Sequence, residues 1–143
     1  MKNIQGDAFI FDLFYDRLSK VEPVSERTPI FRNIHLSNVT GNDIKRIGYI
    51  KGIEEMPISE LSFSNMNIVA GKGFQAETAT DIRFNNVSFT VEEGPSLNIR
   101  QCKDIFLNDV RTKQPIAGQP VVDLEAIENL SIIHCDSTQI VRK

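Results

Sequence analysis

The sequence predicts an all-β fold, a single-stranded parallel β-helix of about five to six coils, on the strength of two nested patterns. The first is a phrase spelled five times: an acidic or amide residue, an aliphatic, a skip, an apolar residue, a skip, a polar residue and another apolar one. Its copies begin at Asn33-Ile34, Glu60-Leu61, Asp81-Ile82, Asp104-Ile105 and Asn129-Leu130. Steps of 21 to 27 residues separate their aliphatics, the range in which self-similarity means a stacked repeat. The second pattern lies inside each copy, where apolar and polar residues alternate with the two-residue period of a strand buried on one face.

Taken in order along the chain, the apolar run Ala8-Phe9-Ile10-Phe11 supplies the strand of a first coil and is ended by Asp12. An irregular insertion follows at about residues 13–28. The phrase strands come next: Ile34-x-Leu36-x-x-Val39, Leu61-x-Phe63-x-x-Met66 and Ile82-x-Phe84-x-x-Val87, then the copies at Ile105 and Leu130. Ahead of the later copies, after stretches rich in Gly or Pro, stands a second short alternation: Phe74-x-Ala76, Leu97-x-Ile99 and Val122-x-Leu124. Two strands with their corners make a coil, and each strand can satisfy its backbone by pairing in parallel with its copy one coil away. At about 4.8 Å per coil the column would stand about 25 to 30 Å tall. No apolar stripe at helical spacing persists for ten residues with caps, so helix is scarce.

The polar position of the phrase also repeats, as Asn38, Asn65, Asn86, Asp109 and His134. Stacked there, these side chains are expected to form a structural ladder, hydrogen-bonding up and down the column. A leucine-rich repeat is the rival reading, since its period overlaps and its strand also carries aliphatics followed by Asn. Its horseshoe needs a helical or 3₁₀ segment per unit, where this sequence offers a second strand.

With 143 residues, 41% hydrophobic and 24% charged, the chain reads as one domain, 1–143, with a real core. A net charge of −3 argues against a nucleic-acid surface. The run at residues 8–11 is far short of a membrane span, and Met1-Lys2 opens no signal-peptide stretch. Cys102 and Cys135 occupy different corners of the repeat and read as buried thiols rather than a bridge.

Two blocks carry a resemblance to a known family. They are Glu22-Pro23-Val24-x-x-Arg27-Thr28-Pro29-Ile30-Phe31-Arg32-Asn33-Ile34-His35-Leu36-Ser37-Asn38-Val39-Thr40 and Ile50-Lys51-Gly52-Ile53-Glu54-Glu55-Met56-Pro57-Ile58-Ser59-Glu60-Leu61, with Met66-x-Ile68 after the second. These resemble the downstream part of the polygalacturonases and related pectin-degrading enzymes of glycoside hydrolase family 28. The likeness runs from about residue 3 to residue 110 and implies a right-handed, pectin-lyase-like β-helix, a hand that parallel crossovers also favour.

Members of that family are inverting hydrolases, which need an acid on the leaving oxygen and a base holding water on the opposite face. The family carries them on Asn-x-Asp, Asp-Asp and Gly-His-Gly motifs, with Arg-x-Lys gripping the uronate. None of the first three is present here, and Arg46-Ile47-Gly48 lacks the lysine of the last. The resemblance therefore implies the C-terminal coils of such an enzyme, without catalytic residues and inactive as an isolated chain. The partner it implies is a pectic oligosaccharide, with no nucleic acid, membrane, metal or cofactor. The family is usually secreted or periplasmic. One family position is matched: a tyrosine lining the sugar subsite falls on Tyr15, whose ring could pack on a sugar face. Tyr15 reads equally as a residue at the mouth of the insertion.

Other groups read as structural. His35 takes an outward strand position and His134 a ladder position, with no third ligand at metal spacing. Glu54-Glu55 and Glu92-Glu93 fall in turns beside Pro57 and Gly94-Pro95. Asp7, Asp12, Asp16 and Asp43 share no spacing that fixes two carboxylates on one face. The sequons at Asn38, Asn86 and Asn129 coincide with ladder or strand-opening positions. Arg32, Lys45, Arg46, Lys51, Arg83 and Arg100 could stack into a stripe for a uronate polymer, but interleaved acids favour a mixed solvated face. Two alternatives stand beside the enzyme-derived reading, a non-catalytic oligosaccharide-binding module and a protein-interaction domain. A partial solenoid with open edges is expected to associate end to end, with a second copy or with a separate catalytic half.

Overall fold

The computed structural model describes residues 1–13, 23–26 and 28–143. Six strands, β1 (Lys2–Asp12), β2 (Arg32–Lys51), β3 (Ile58–Glu77), β4 (Ala79–Arg111), β5 (Val122–Ile133) and β6 (Ile140–Arg142), form one parallel sheet in chain order. Each long strand is a whole turn of a β-solenoid, bent at fixed positions, and β4 runs from one turn into the next. Four turns are complete and β1 and β6 are partial turns at the ends, so five to six coils is reached only by counting the ends. No α-helix occurs among the described residues; a single 3₁₀ turn, Ser137–Gln139, precedes β6.

The bends explain the first letter of the repeated phrase. Asn33, Glu60, Asp81, Asp104 and Asn129 all have φ between 50° and 58°, and so do Asn38, Asn65, Asn86, Asp109 and His134. That is the left-handed region, costly for most L-residues and eased for Asn, Asp and His. Only Glu60 departs from that trio of residue types. A third column of left-handed corners, Thr78, Gln101 and Ala126, closes the turn. Composition at the corners therefore sets where the chain bends, and the phrase between two corners is the strand.

Register turns the repeat into a core. Leu61 pairs with Ile82 and Phe63 with Phe84, while Phe74, Leu97 and Val122 form a second column and Ala76, Ile99 and Leu124 a third. All of these are at most 2% exposed. Phe63 stacks on Phe84 at 4.9 Å between ring centroids, and Phe74 meets both edge-on at 5.0 and 5.6 Å. At the ends the columns open, leaving Ile34, Leu36 and Val39, and likewise Ile127 and Leu130, half-buried. The second alternation is thus a strand on the return path, which a leucine-rich horseshoe would not have.

Two sequence expectations need correction. Cys102 is buried, but Cys135 is only half-buried, its Sγ lying 3.4 Å from the Val110 amide nitrogen. The side-chain ladder holds for three residues rather than five: Asn65 Nδ2 donates to Asn38 Oδ1 at 3.4 Å and Asn86 Nδ2 to Asn65 Oδ1 at 2.8 Å. Asp109 keeps the corner but has no N–H to continue the chain of donors. Arg111 substitutes, with one guanidinium nitrogen on Asn86 Oδ1 at 2.8 Å and the other 3.2 Å from Asp109. His134 turns instead to Asn108 Oδ1, 3.0 Å away.

Candidate functional site

Outward-facing residues of the return strands form two columns side by side, polar except at the ends of the first. One reads Ile10, Tyr49, Gln75, Asn98, Asp123, Val141 and the other Asp12, Lys51, Glu77, Arg100, Glu125. Between them lies a groove of about 470 Å³, lined by Tyr49, Gln75, Asn98, Lys51, Glu77 and Arg100 together with Asp12 and Arg46. Beyond Gln75 and Asn98 it continues into a recess of about 190 Å³ bounded by Gly73 and Pro95.

One end of the groove is a fixed cluster. Arg46 holds Asp7 with both Nε and Nη2, the latter at 2.7 Å, and its guanidinium carbon sits 4.8 Å from the centre of the Tyr49 ring. Tyr49 in turn donates its hydroxyl to Asp12 Oδ2 at 3.0 Å. The bond to Asp7 raises the Arg46 guanidinium further above its ordinary value. Partial burial and then the bond to Asp12 raise the Tyr49 phenol, keeping it protonated and a donor. The cation over the ring and the two carboxylates pin the aromatic plane in place.

The other end is open and rich in donors and acceptors. Arg100 Nε donates to Asn98 Oδ1 at 3.1 Å and approaches Glu125 at 3.5 Å. Charges alternate along the second column, so the cations do not merge into a stripe: Glu77 separates Lys51 from Arg100, and Arg83 is taken up by Asp81 at 2.9 Å. The mixed face expected from the sequence is what the register builds. Such a groove can hydrogen-bond a polyhydroxylated ligand and place cations beside its acidic groups.

The sequence-level candidates fall in different places. Tyr15 lies outside the described residues. Asn38, Asn65, Asn86, Asp109 and His134 occupy a corner column apart from the groove, and its lining includes none of them. His35 is exposed and bonded to Ser62 Oγ at 2.6 Å and Asn33 Oδ1 at 2.8 Å, a surface network. Asp7 and Asp12, which share no useful spacing in sequence, are brought to one cluster by Arg46 and Tyr49, 39 and 37 residues away. Gln75 and Asn98 were legible as the skipped letters of Phe74-x-Ala76 and Leu97-x-Ile99. Comparison of the chain with known protein families, with curated proteins and with solved structures finds no match.

Proposed function

We propose that this chain is part of a polygalacturonase-like β-helix of glycoside hydrolase family 28, and that by itself it holds a pectic oligosaccharide without cleaving it. The observation that carries the reading is the groove beside Tyr49, Gln75 and Asn98, with Arg46, Lys51 and Arg100 at its walls. An extended acidic sugar chain offers hydroxyls for the amides and carboxylates for the cations. The two sequence blocks around Asn33 and Met56 support the family, and the parallel solenoid is the architecture that family requires.

We infer no hydrolysis from the missing family motifs, and the engagement of Asp7 and Asp12 supports this. Asp7 is a bidentate partner of Arg46 and Asp12 accepts from Tyr49. A glycosidase of the inverting kind needs one carboxyl that gives up a proton to the leaving oxygen and another that activates water. Asp7 and Asp12 are engaged with a guanidinium and a phenol, and the groove's third carboxylate, Glu77, stands between Lys51 and Arg100.

Calorimetric titration with oligogalacturonate, run beside a reducing-end assay on polygalacturonate and rhamnogalacturonan, tests both halves. Saturable heat with no new reducing ends is the expected result. No heat, or equal heat with a neutral oligosaccharide of the same length, overturns the binding half; turnover by folded protein overturns the other.

A further inference from the structure

Beside the groove the register between β3 and β4 slips. Lys72 pairs with Glu93 and Phe74 with Leu97, so the single residue Gly73 stands opposite three, Gly94, Pro95 and Ser96. Bulges of this kind re-aim the chain next to functional surfaces. Here the extra residues form a stiff lip: Gly94 takes left-handed backbone, φ 72°, and Pro95 holds the next φ fixed. Their path past β3 is open only because residue 73 has no side chain, since a Cβ there would strike the carbonyl oxygens of Pro95 and Ser96.

The lip bounds the recess of about 190 Å³, which leaves the groove sideways, along the strands rather than from turn to turn. Gln75 and Asn98, paired in adjacent turns, line both spaces and stand at their junction. Both amides have N–H groups to offer. Gln75 has no side-chain partner among the described residues, and Asn98 engages only its Oδ1, which accepts from Arg100. The far wall is the ion pair of Lys72 and Glu93 at 3.1 Å, so the recess carries no net charge. Past that pair a separate depression of about 440 Å³ begins, sharing the two residues as its rim.

We propose that the recess receives a neutral, single-sugar branch of an acidic chain lying in the groove, so that the ligand is a branched uronate polysaccharide; this rests on the groove being a pectic site. The recess is well under the groove's 470 Å³ and on the scale of one sugar ring. Hydroxyls of the branch accept from the Gln75 and Asn98 amides, donors that a linear chain leaves to water. The mutually neutralised wall gives no cation to a second uronate, which selects a neutral unit. A branch of one unit ends at the Lys72–Glu93 pair, and a longer one runs into it.

Titration calorimetry with a linear oligogalacturonate and with one of the same backbone length bearing a single xylosyl branch tests the proposal. The branched oligomer should bind about tenfold more tightly. Glu93→Trp and Lys72→Trp, each with an unchanged far-ultraviolet dichroism spectrum, put a large ring on the recess wall at residues that do not line the groove. The ion pair they break is exposed, 59% and 66%, and contributes little to stability. Each should abolish the preference for the branch and leave the affinity for the linear oligomer unchanged. Saturable heat from both oligomers with equal affinity, a preference that survives both tryptophans, or a further gain from a two-unit branch would each overturn the proposal and leave the groove reading standing. No heat from either oligomer would overturn the groove reading and the branch with it.

Discussion

Asn86 donates through Nδ2 to Asn65 Oδ1 at 2.8 Å across one turn of the solenoid, and both residues hold left-handed backbone, φ 53° and 52°. The two facts reinforce each other. A corner must bend left-handed for the strands to stack, and the amide that tolerates that bend also bridges to the corner above. Asn65→Ala removes both advantages and should cost about 2 kcal/mol, combining a lost hydrogen bond with backbone strain. Asn65→Gly removes only the bridge and should cost about 1 kcal/mol less than the alanine. Urea unfolding of the two variants separates the contributions; equal losses would mean that the corner carries no strain.

Gly52 tests how tightly successive turns approach. A Cβ placed there would run into the carbonyl oxygen of Thr78 and lie 2.9 Å from the Ile58 nitrogen, both backbone atoms that have nowhere to move. Gly6, in β1, would meet nothing within 4 Å. Gly52→Ala should therefore destabilise by about 2–3 kcal/mol or prevent folding, the cost of overpacking against a rigid neighbour. Gly6→Ala should be neutral or slightly stabilising. Thermal melts of both proteins give the comparison directly.

Cys102 provides a pH signature. Burial pushes its thiol from an ordinary 9.0 to about 11. The folded state thus keeps a proton that the unfolded chain gives up, and stability that is complete below about pH 9 is lost as pH rises through about 11. Two units correspond to about 2–3 kcal/mol. Cys102→Ala should flatten that part of the stability-pH curve measured by urea unfolding. At mildly alkaline pH, alkylation of the native protein should mark the half-buried Cys135 and spare Cys102.

The repeat was legible because it rests on local chemistry. Alternation at Leu61-x-Phe63 and at Phe74-x-Ala76 marks which side chains go inward, and the structure buries all four. The acidic or amide residue opening each phrase was visible too, but its meaning, a left-handed corner, lies in backbone angles that spacing does not reveal. The ladder was overread because a shared column guarantees a shared bend and nothing more: Asp109 cannot donate, so Arg111 takes over. The groove was least legible. Asp12 reaches Tyr49 across 37 residues, and Lys51 falls beside Glu77 and Glu77 beside Arg100, only because loops of unequal length bring unequal spacings into one register. The Glu77-to-Arg100 step does repeat the step from Phe74 to Leu97, but the reach from Asp12 to Tyr49 spans the irregular insertion and follows no repeat.

The groove makes its own prediction about charge. Lys51 and Arg100 flank Glu77, so a ligand carrying carboxylates along its length meets a cation at every second turn, about 9.6 Å apart at 4.8 Å per turn. A uronate chain would then engage the two cations with separate sugar units and be repelled by Glu77 between them. Arg100→Glu should weaken oligogalacturonate binding about tenfold or more, since it removes an attraction and adds a repulsion. Glu77→Gln should strengthen it modestly, and higher salt should shrink both effects. Tyr49→Phe isolates the hydroxyl: it frees Asp12 Oδ2 from that donor while keeping the ring under Arg46. If binding depends on the ring as a platform, affinity changes little; if the positioned Asp12 accepts a sugar hydroxyl, affinity changes with it. Titrations of the three variants at two ionic strengths read all of these outcomes, and a response of the same sign from Arg100→Glu and Glu77→Gln would refute the electrostatic account of the groove.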